Sequence, residues 1–209
     1  MRAAYAFAVA TLASACSSDS KSAPAQASGP PPPMIGVYPE KFVCDSVAPP
    51  DALAQALGGT PRVVDSAIQT PQGVARPCNY LVDGAAGPEA WTFDIDCRPG
   101  YDVTAGKLFD QYTRGSQDLV DQYNAVVDAG HMDLVDGGPP IKAPENARDV
   151  QVGKRALDHH GQGLLFIDDD APCYVRVIGP DGAKRLALAQ LVAKNLTPAT
   201  APMTPHAAP

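Results

Sequence analysis

Four cysteines in the body of the chain, Cys44, Cys78, Cys97 and Cys173, constrain its fold more than any other feature. Each bond they form ties together segments far apart in sequence and removes entropy from the unfolded ensemble. Their wide spacing, with no CxxC, argues against a thiolate metal site, whose ligands usually come in close pairs. In an exported chain an even number of cysteines favours two disulfides, and three connectivities are then open. The reading therefore depends on whether the chain leaves the cytoplasm.

A fifth cysteine bears on that question. Arg2 precedes an apolar run from Ala3 to Leu12, and Ala13, Ser14 and Ala15 are small, so residues 1–15 read as a lipoprotein signal peptide. Leu12-Ala13-Ser14-Ala15-Cys16 resembles a bacterial lipobox, in which the cysteine sulfur receives a diacylglycerol, although the leucine usually sits one place nearer the cysteine. The apolar run is too short for a membrane span, which takes about 20 residues. The alternative is a plain secretory signal with Cys16 incidental. Residues 17–33, SSDSKSAPAQASGPPPP, favour the lipid, because they lack any large apolar side chain and read as a tether from an acylated Cys16. The expected location is the bacterial cell envelope, outside the cytoplasm, with acyl chains such as palmitate on Cys16 as the membrane anchor.

Residues 34–197 are long enough for a single domain with a substantial core, and residues 198–209, PATAPMTPHAAP, read as a disordered tail. Loss of residues 1–15 removes Arg2 alone among the charges, leaving 15 basic against 23 acidic side chains, a formal charge of −8. That balance disfavours nucleic acid as a partner and would repel anionic headgroups, so membrane attachment rests on the lipid.

Ala48 to Gly58 reads as a short helix with prolines in its first turn and a glycine C-cap. Trp91 to Cys97 alternates strictly, with Trp91, Phe93, Ile95 and Cys97 on one face, and Cys78 to Val82 precedes it across DGAAGPE as a hairpin partner. Thr104 is a candidate N-cap for a helix towards Ala129, with an apolar stripe of Leu108, Tyr112, Leu119, Tyr123 and Val126 and a potential break at Gly115. Val150 to His159, Leu164 to Ile167 and Cys173 to Ile178 read as strands, and Asp181-Gly182 opens a last helix to Leu196. Runs of neighbouring strands separated by helices predict an α+β fold, an antiparallel sheet packed by helices on one face. The strand-strand-helix order occurs from Cys78 and again from Val150, which raises the expectation of two similar halves. Cys173 is in step with Val175 and Val177, so its sulfur and that of Cys97 are expected in one core layer, which favours a Cys97–Cys173 bond.

Cys44 before a short helix, the stretch Cys78-Asn79-Tyr80, a strand ending at Cys97, and Val152-Gly153 followed by strands and a C-terminal helix resemble the actinobacterial envelope lipoproteins of unknown function. That family carries a Cys-x-Leu-Leu start and a later Cys-x-Trp. Here Asp45-Ser46-Val47 follows Cys44, and Tyr80 stands where the tryptophan would be. The resemblance covers most of residues 42–196 and implies an exported, tethered α+β domain, a Cys44–Cys78 bond, and no assigned activity.

No pattern of catalytic residues stands out. Asp158-His159-His160 is the most suggestive polar cluster, but adjacent histidines on a strand point to opposite faces, so no metal is expected there. Asp168-Asp169-Asp170 lacks the spacing of a calcium loop and reads as a solvated turn. Ser116 has no evident histidine partner, and the pairs Gly58-Gly59 and Gly137-Gly138 lack the Lys-Ser or Lys-Thr of a phosphate loop. No cofactor is expected. The expectation is a non-catalytic binding or interaction module for an envelope protein or small ligand; the alternative is an envelope enzyme whose site assembles only in the fold.

Overall fold

A computed structural model describes residues 34–65, 69–128 and 147–207; Cys16, the signal and tether segments and Gly137-Gly138 lie outside them. The central hairpin is β3 (Cys78–Gly84) with β4 (Gly87–Asp96), in a register that sets Tyr80 opposite Trp91 and Cys78 opposite Phe93. The free edge of β4 accepts β8 (Tyr174–Ile178), and beyond it follow β7 (Gly163–Ile167), β6 (Arg155–His159) and β5 (Ala147–Val150). With β2 (Arg62–Val63) outside β3, the order is β2-β3-β4-β8-β7-β6-β5 and every pairing is antiparallel. The fold is α+β, as the alternation of strand runs and helices predicts.

Alternation along the strands divides the apolar residues between two layers. Trp91, Phe93 and Ile95 of β4, Leu164 and Phe166 of β7, and Val175 and Val177 of β8 form the main core. Two helices close it: α1 (Pro50–Leu57) through Leu53 and Leu57, and α3 (Gly182–Asn195) through Leu188, Ala189 and Val192. Gly58 takes the left-handed conformation that ends α1, and the Asp181 carboxylate caps α3 by accepting from the Lys184 amide at 2.8 Å. Gly179 is required where it stands, because a Cβ there would overlap the buried Trp91 indole.

The expectation that the helices share one face is corrected by α2 (Tyr101–Asp128). Ala105 and Phe109 pack against Leu165, Ile167 and Tyr174, the side chains that β7 and β8 direct away from the main core. The physical reason lies in β7, whose Gly-Leu-Leu-Phe-Ile is buried at all five positions and so needs cover on both sides. The two halves are unequal as well. One contributes three strands and the other four, and the helices that follow them, α2 and α3, lie on opposite faces.

Several boundaries differ from the sequence reading. The stretch Val150 to His159 is split between β5 and β6 by a turn in which Gly153 has φ +55°. α2 begins at Tyr101, after a turn in which the Tyr101 amide donates to the Arg98 carbonyl, so Thr104 lies inside the helix instead of capping it. It runs unbroken through Gly115, and its sheet-facing side is Tyr101, Ala105, Phe109 and Tyr112. The side chains of Leu119, Tyr123, Val126 and Ser116 lie outside the described set.

The stretch after Pro198 is ordered up to Ala207, contrary to the expected free tail. The Thr200 hydroxyl donates to the Asn195 carbonyl at 2.8 Å, Ala201 is fully buried, and Val37 bridges to Pro202. β9 (His206–Ala207) then pairs with β1 (Met34–Ile35). Backbone pairing, the buried Ala201 and Pro202 and the packing of Met203 on the core hold this segment, and a composition of small residues and prolines gives no sign of that order.

Two disulfides are present, Cys44–Cys78 with Cα atoms 5.8 Å apart and Cys97–Cys173 with Cα atoms 4.1 Å apart. Asp96 opposes Tyr174, so Cys97 and Cys173 are the next rung of the β4–β8 ladder. The bond closes a separation of 76 residues, for which the chain-entropy account gives about 4 to 5 kcal/mol. Replacing both cysteines by alanine is expected to lower the unfolding free energy by about that amount in urea titration; an unchanged midpoint and slope would contradict it.

Candidate functional site

The Cys44–Cys78 bond also shapes a groove on the domain. It draws the segment around Cys44, a single 3₁₀ turn (Cys44–Ser46), against the first residue of β3. Phe42 to Asp45 then face Val63 to Asp65 across Pro77 to Tyr80, and the groove between them has a volume of about 550 Å³. That is the size of an ordinary small-molecule site. Its apolar lip is exposed: Val43 retains 62% and Val63 74% of its accessible surface. β2 is an edge strand of only two residues, so nothing in the sheet covers these valines.

The polar part of the lining is divided by burial. Asp45, Asp65 and Arg76 are exposed at the rim, and among the described residues none of them forms a salt bridge. Tyr80 is the buried one, 3% exposed, with its ring stacked at 6.1 Å from that of Phe93. Among the described residues its hydroxyl has no hydrogen-bond partner. Loss of water around the phenol, and then the negative charge of Asp45, push its pKa up to about 12. The hydroxyl is thus a neutral donor without an acceptor, an arrangement that costs on the order of 1–3 kcal/mol. A smaller depression of about 270 Å³ shares Val64, Asp65, Asn79 and Tyr80 with the groove and continues along β3 and β4.

The polar clusters noted in the sequence are used up by the fold. Asp158 is buried and accepts from Arg185 of α3 at 2.8 Å and from Arg148 of β5 at 3.1 Å, which fixes the start of α3 to the sheet. His159 points the other way, with its ring 5.0 Å from that of Tyr112 and Nδ1 accepting from the Gly161 amide, while His160 is exposed. Among the described residues no group of three or more His, Cys, Asp and Glu side chains is placed to hold a metal. The reading of Asp168 to Asp170 as a solvated turn is corrected at its first member. Asp168 is buried, and its carboxylate accepts from the Asp170 and Ala171 amides, so it organises the β7–β8 turn from inside.

On the α2 side of the sheet, carboxylates are matched to arginines: Asp94 to Arg176 at 2.9 Å, Asp96 to Arg98 at 2.6 Å and Asp110 to Arg155 at 2.9 Å. Burial raises the Asp94 pKa and the Arg176 charge opposes that rise. Asp110–Arg155 ties α2 to β6, Asp94–Arg176 ties β4 to β8, and Asp96–Arg98 is a local pair at the end of β4. The groove residues Val43, Val63, Val64 and Tyr80 were not legible as a site. The available signals were β-branched residues in a loop-rich stretch and the cysteine beside Tyr80.

Because the Tyr80 phenol releases its proton near pH 12 when folded and near pH 10 when unfolded, the unfolded state binds fewer protons between those values. Stability is therefore expected to fall as pH rises through that window. Tyr80→Phe should remove one late-titrating phenol from the ultraviolet phenolate signal and reduce the loss of stability. Titration of all folded tyrosines near pH 10 would contradict this assignment.

The chain matches no family model, no curated protein and no solved structure.

Proposed function

We propose that this chain is a bacterial envelope lipoprotein, anchored through a lipid on Cys16, whose domain binds a ligand in the groove between Cys44 and β2 without transforming it. The observation that carries the binding reading is the groove itself, with its exposed valines and a buried hydroxyl that lacks a partner. Among the described residues that line it there is no histidine, serine, threonine or lysine, and its two cysteines are bonded to each other. The groove therefore offers no serine, threonine, lysine or free cysteine nucleophile and no histidine base among the described residues, which favours the binding reading over an envelope enzyme acting there. The resemblance to actinobacterial envelope lipoproteins belongs to the same reading, as do the small residues before Cys16 and the Pro- and Ser-rich stretch after it. The acidic balance directs the proposal away from nucleic acid and anionic headgroups.

Anchoring is tested by growth with labelled palmitate. Label is expected on the wild-type chain and not on Cys16→Ala, which should move to the soluble fraction; an unlabelled chain that stays with the membrane would overturn the anchor. Binding is tested by native mass spectrometry of the full chain extracted from envelopes. The wild type should carry a bound species that Val63→Asp lacks, whereas identical spectra would overturn the groove as the binding site.

A further inference from the structure

We infer, building on the proposed binding role, that the Cys44–Cys78 bond is a redox latch on the groove, reducible by a dithiol while the domain stays folded, and that its opening releases what the groove holds. Residues 38–46 form a strap anchored at both ends. At one end the Val37 amide donates to the Ala201 carbonyl at 2.9 Å; at the other Val47 and Ala48 are fully buried, and the Asn195 side chain donates to the Val47 carbonyl at 3.1 Å. Among the described residues, every hydrogen bond of the strap between those points is local. The Lys41 and Phe42 amides donate to Tyr38 and Pro39, the Ser46 amide and hydroxyl to the Val43 carbonyl, and the Val47 and Ala48 amides to the Cys44 carbonyl. The turn that carries Cys44 buries none of its residues, and Val43, Asp45 and Ser46 are exposed. Beyond the partial packing of Phe42 and Cys44 on the core, the disulfide is what holds the strap against β3.

The two disulfides differ in access. Cys44 and Cys78 both line the groove, and Cys44 is half-buried. Cys97 and Cys173 lie inside the main core at 4% and 0% exposure, so a reductant reaches their bond only when the sheet opens. At the groove, one thiolate of the dithiol attacks the Cys44 sulfur and forms a new S–S bond there. The Cys44–Cys78 bond breaks with its electron pair leaving on Cys78, which takes up a proton. The second thiolate of the dithiol then displaces Cys44, which is protonated in turn, and the dithiol ends as a disulfide after giving up two electrons. Both ends of the strap stay anchored, so α1, α3 and the sheet keep their core. Phe42 to Asp45, however, are no longer tied opposite Val63 to Asp65, and the groove loses one wall. An apolar ligand held between those walls then loses the surface that shields it from water.

The test uses the full chain carrying Cys16→Ala, so that every remaining cysteine is one of the four in the disulfides. The chain is incubated with dithiothreitol at neutral pH without denaturant, quenched with iodoacetamide and mapped by peptide mass spectrometry. Cys44 and Cys78 should become alkylated faster than Cys97 and Cys173 by roughly a hundredfold or more, because the second pair must wait for the sheet to open. In the chain reduced at the groove alone, the amides of Ser46, Val47 and Ala48 should exchange hydrogen roughly tenfold faster, while those of β4 and β8 keep their protection. A variant with both Cys44→Ser and Cys78→Ser should exchange as the reduced chain does. Reduction of both bonds together, or loss of protection in β4 and β8 along with the turn, would overturn the latch. In native mass spectrometry the envelope-derived species carried by the wild-type chain should be released by dithiothreitol, and its retention after Cys44 and Cys78 are alkylated would also overturn the latch. A wild-type chain that carries no such species overturns the binding role, and with it the release, whatever the labelling shows.

Discussion

The contact between β4 and β8 is the one on which the remainder of the structure depends. These strands are distant in sequence, yet they pair residue for residue, and the Cys97–Cys173 bond extends that ladder by one covalent rung. Without it, β2-β3-β4 and β5-β6-β7-β8 would be two small sheets, each with an open edge and half a core. With it, Phe93 and Ile95 lie beside Val177 and Val175, and α3 rests on a continuous apolar surface. Loop closure of this length is entropically demanding, and a cross-link placed at the end of the ladder offsets it at the position where register matters most.

How much of this was legible can be judged element by element. The alternation from Trp91 to Cys97 identified both a strand and the face its cysteine shares with the core, because a period of two leaves only one choice of face. The limits of α1 and α3 were legible because Gly58 and Asp181 act locally through backbone conformation and capping. The position of α2 was not, since β7 reads as a short apolar run whether it is covered on one side or on two. Nor was the order of residues 198–207, which rests on hydroxyl-to-carbonyl contacts and strand pairing that composition does not record.

The candidate site was still less visible, and the reason is physical. A catalytic site often announces itself by side-chain types at fixed spacing, whereas this groove is an absence of cover over Val43 and Val63 and an absence of an acceptor at Tyr80. Such absences arise only after β2 has proved to be an edge strand and Cys44 has been drawn to Cys78. The conspicuous Asp158-His159-His160 misleads for the opposite reason. Its members are prominent in the sequence but separate at once onto different faces, where Asp158 becomes a structural counter-ion and His159 packs on an aromatic ring.

The Cys44–Cys78 bond determines how the domain would bear a pull applied at its N-terminal end. Tension applied at Met34 passes first through β1 and the bridge from Val37 to Pro202, then along the backbone to Cys44. There the covalent bond diverts the load to Cys78 and into β3, which is paired along its length with β4. Residues 45–77, including α1 and one wall of the groove, lie on the slack side of that shunt. A pull on the N-terminal end is therefore borne by the sheet, while the segment that shapes the groove stays unstretched.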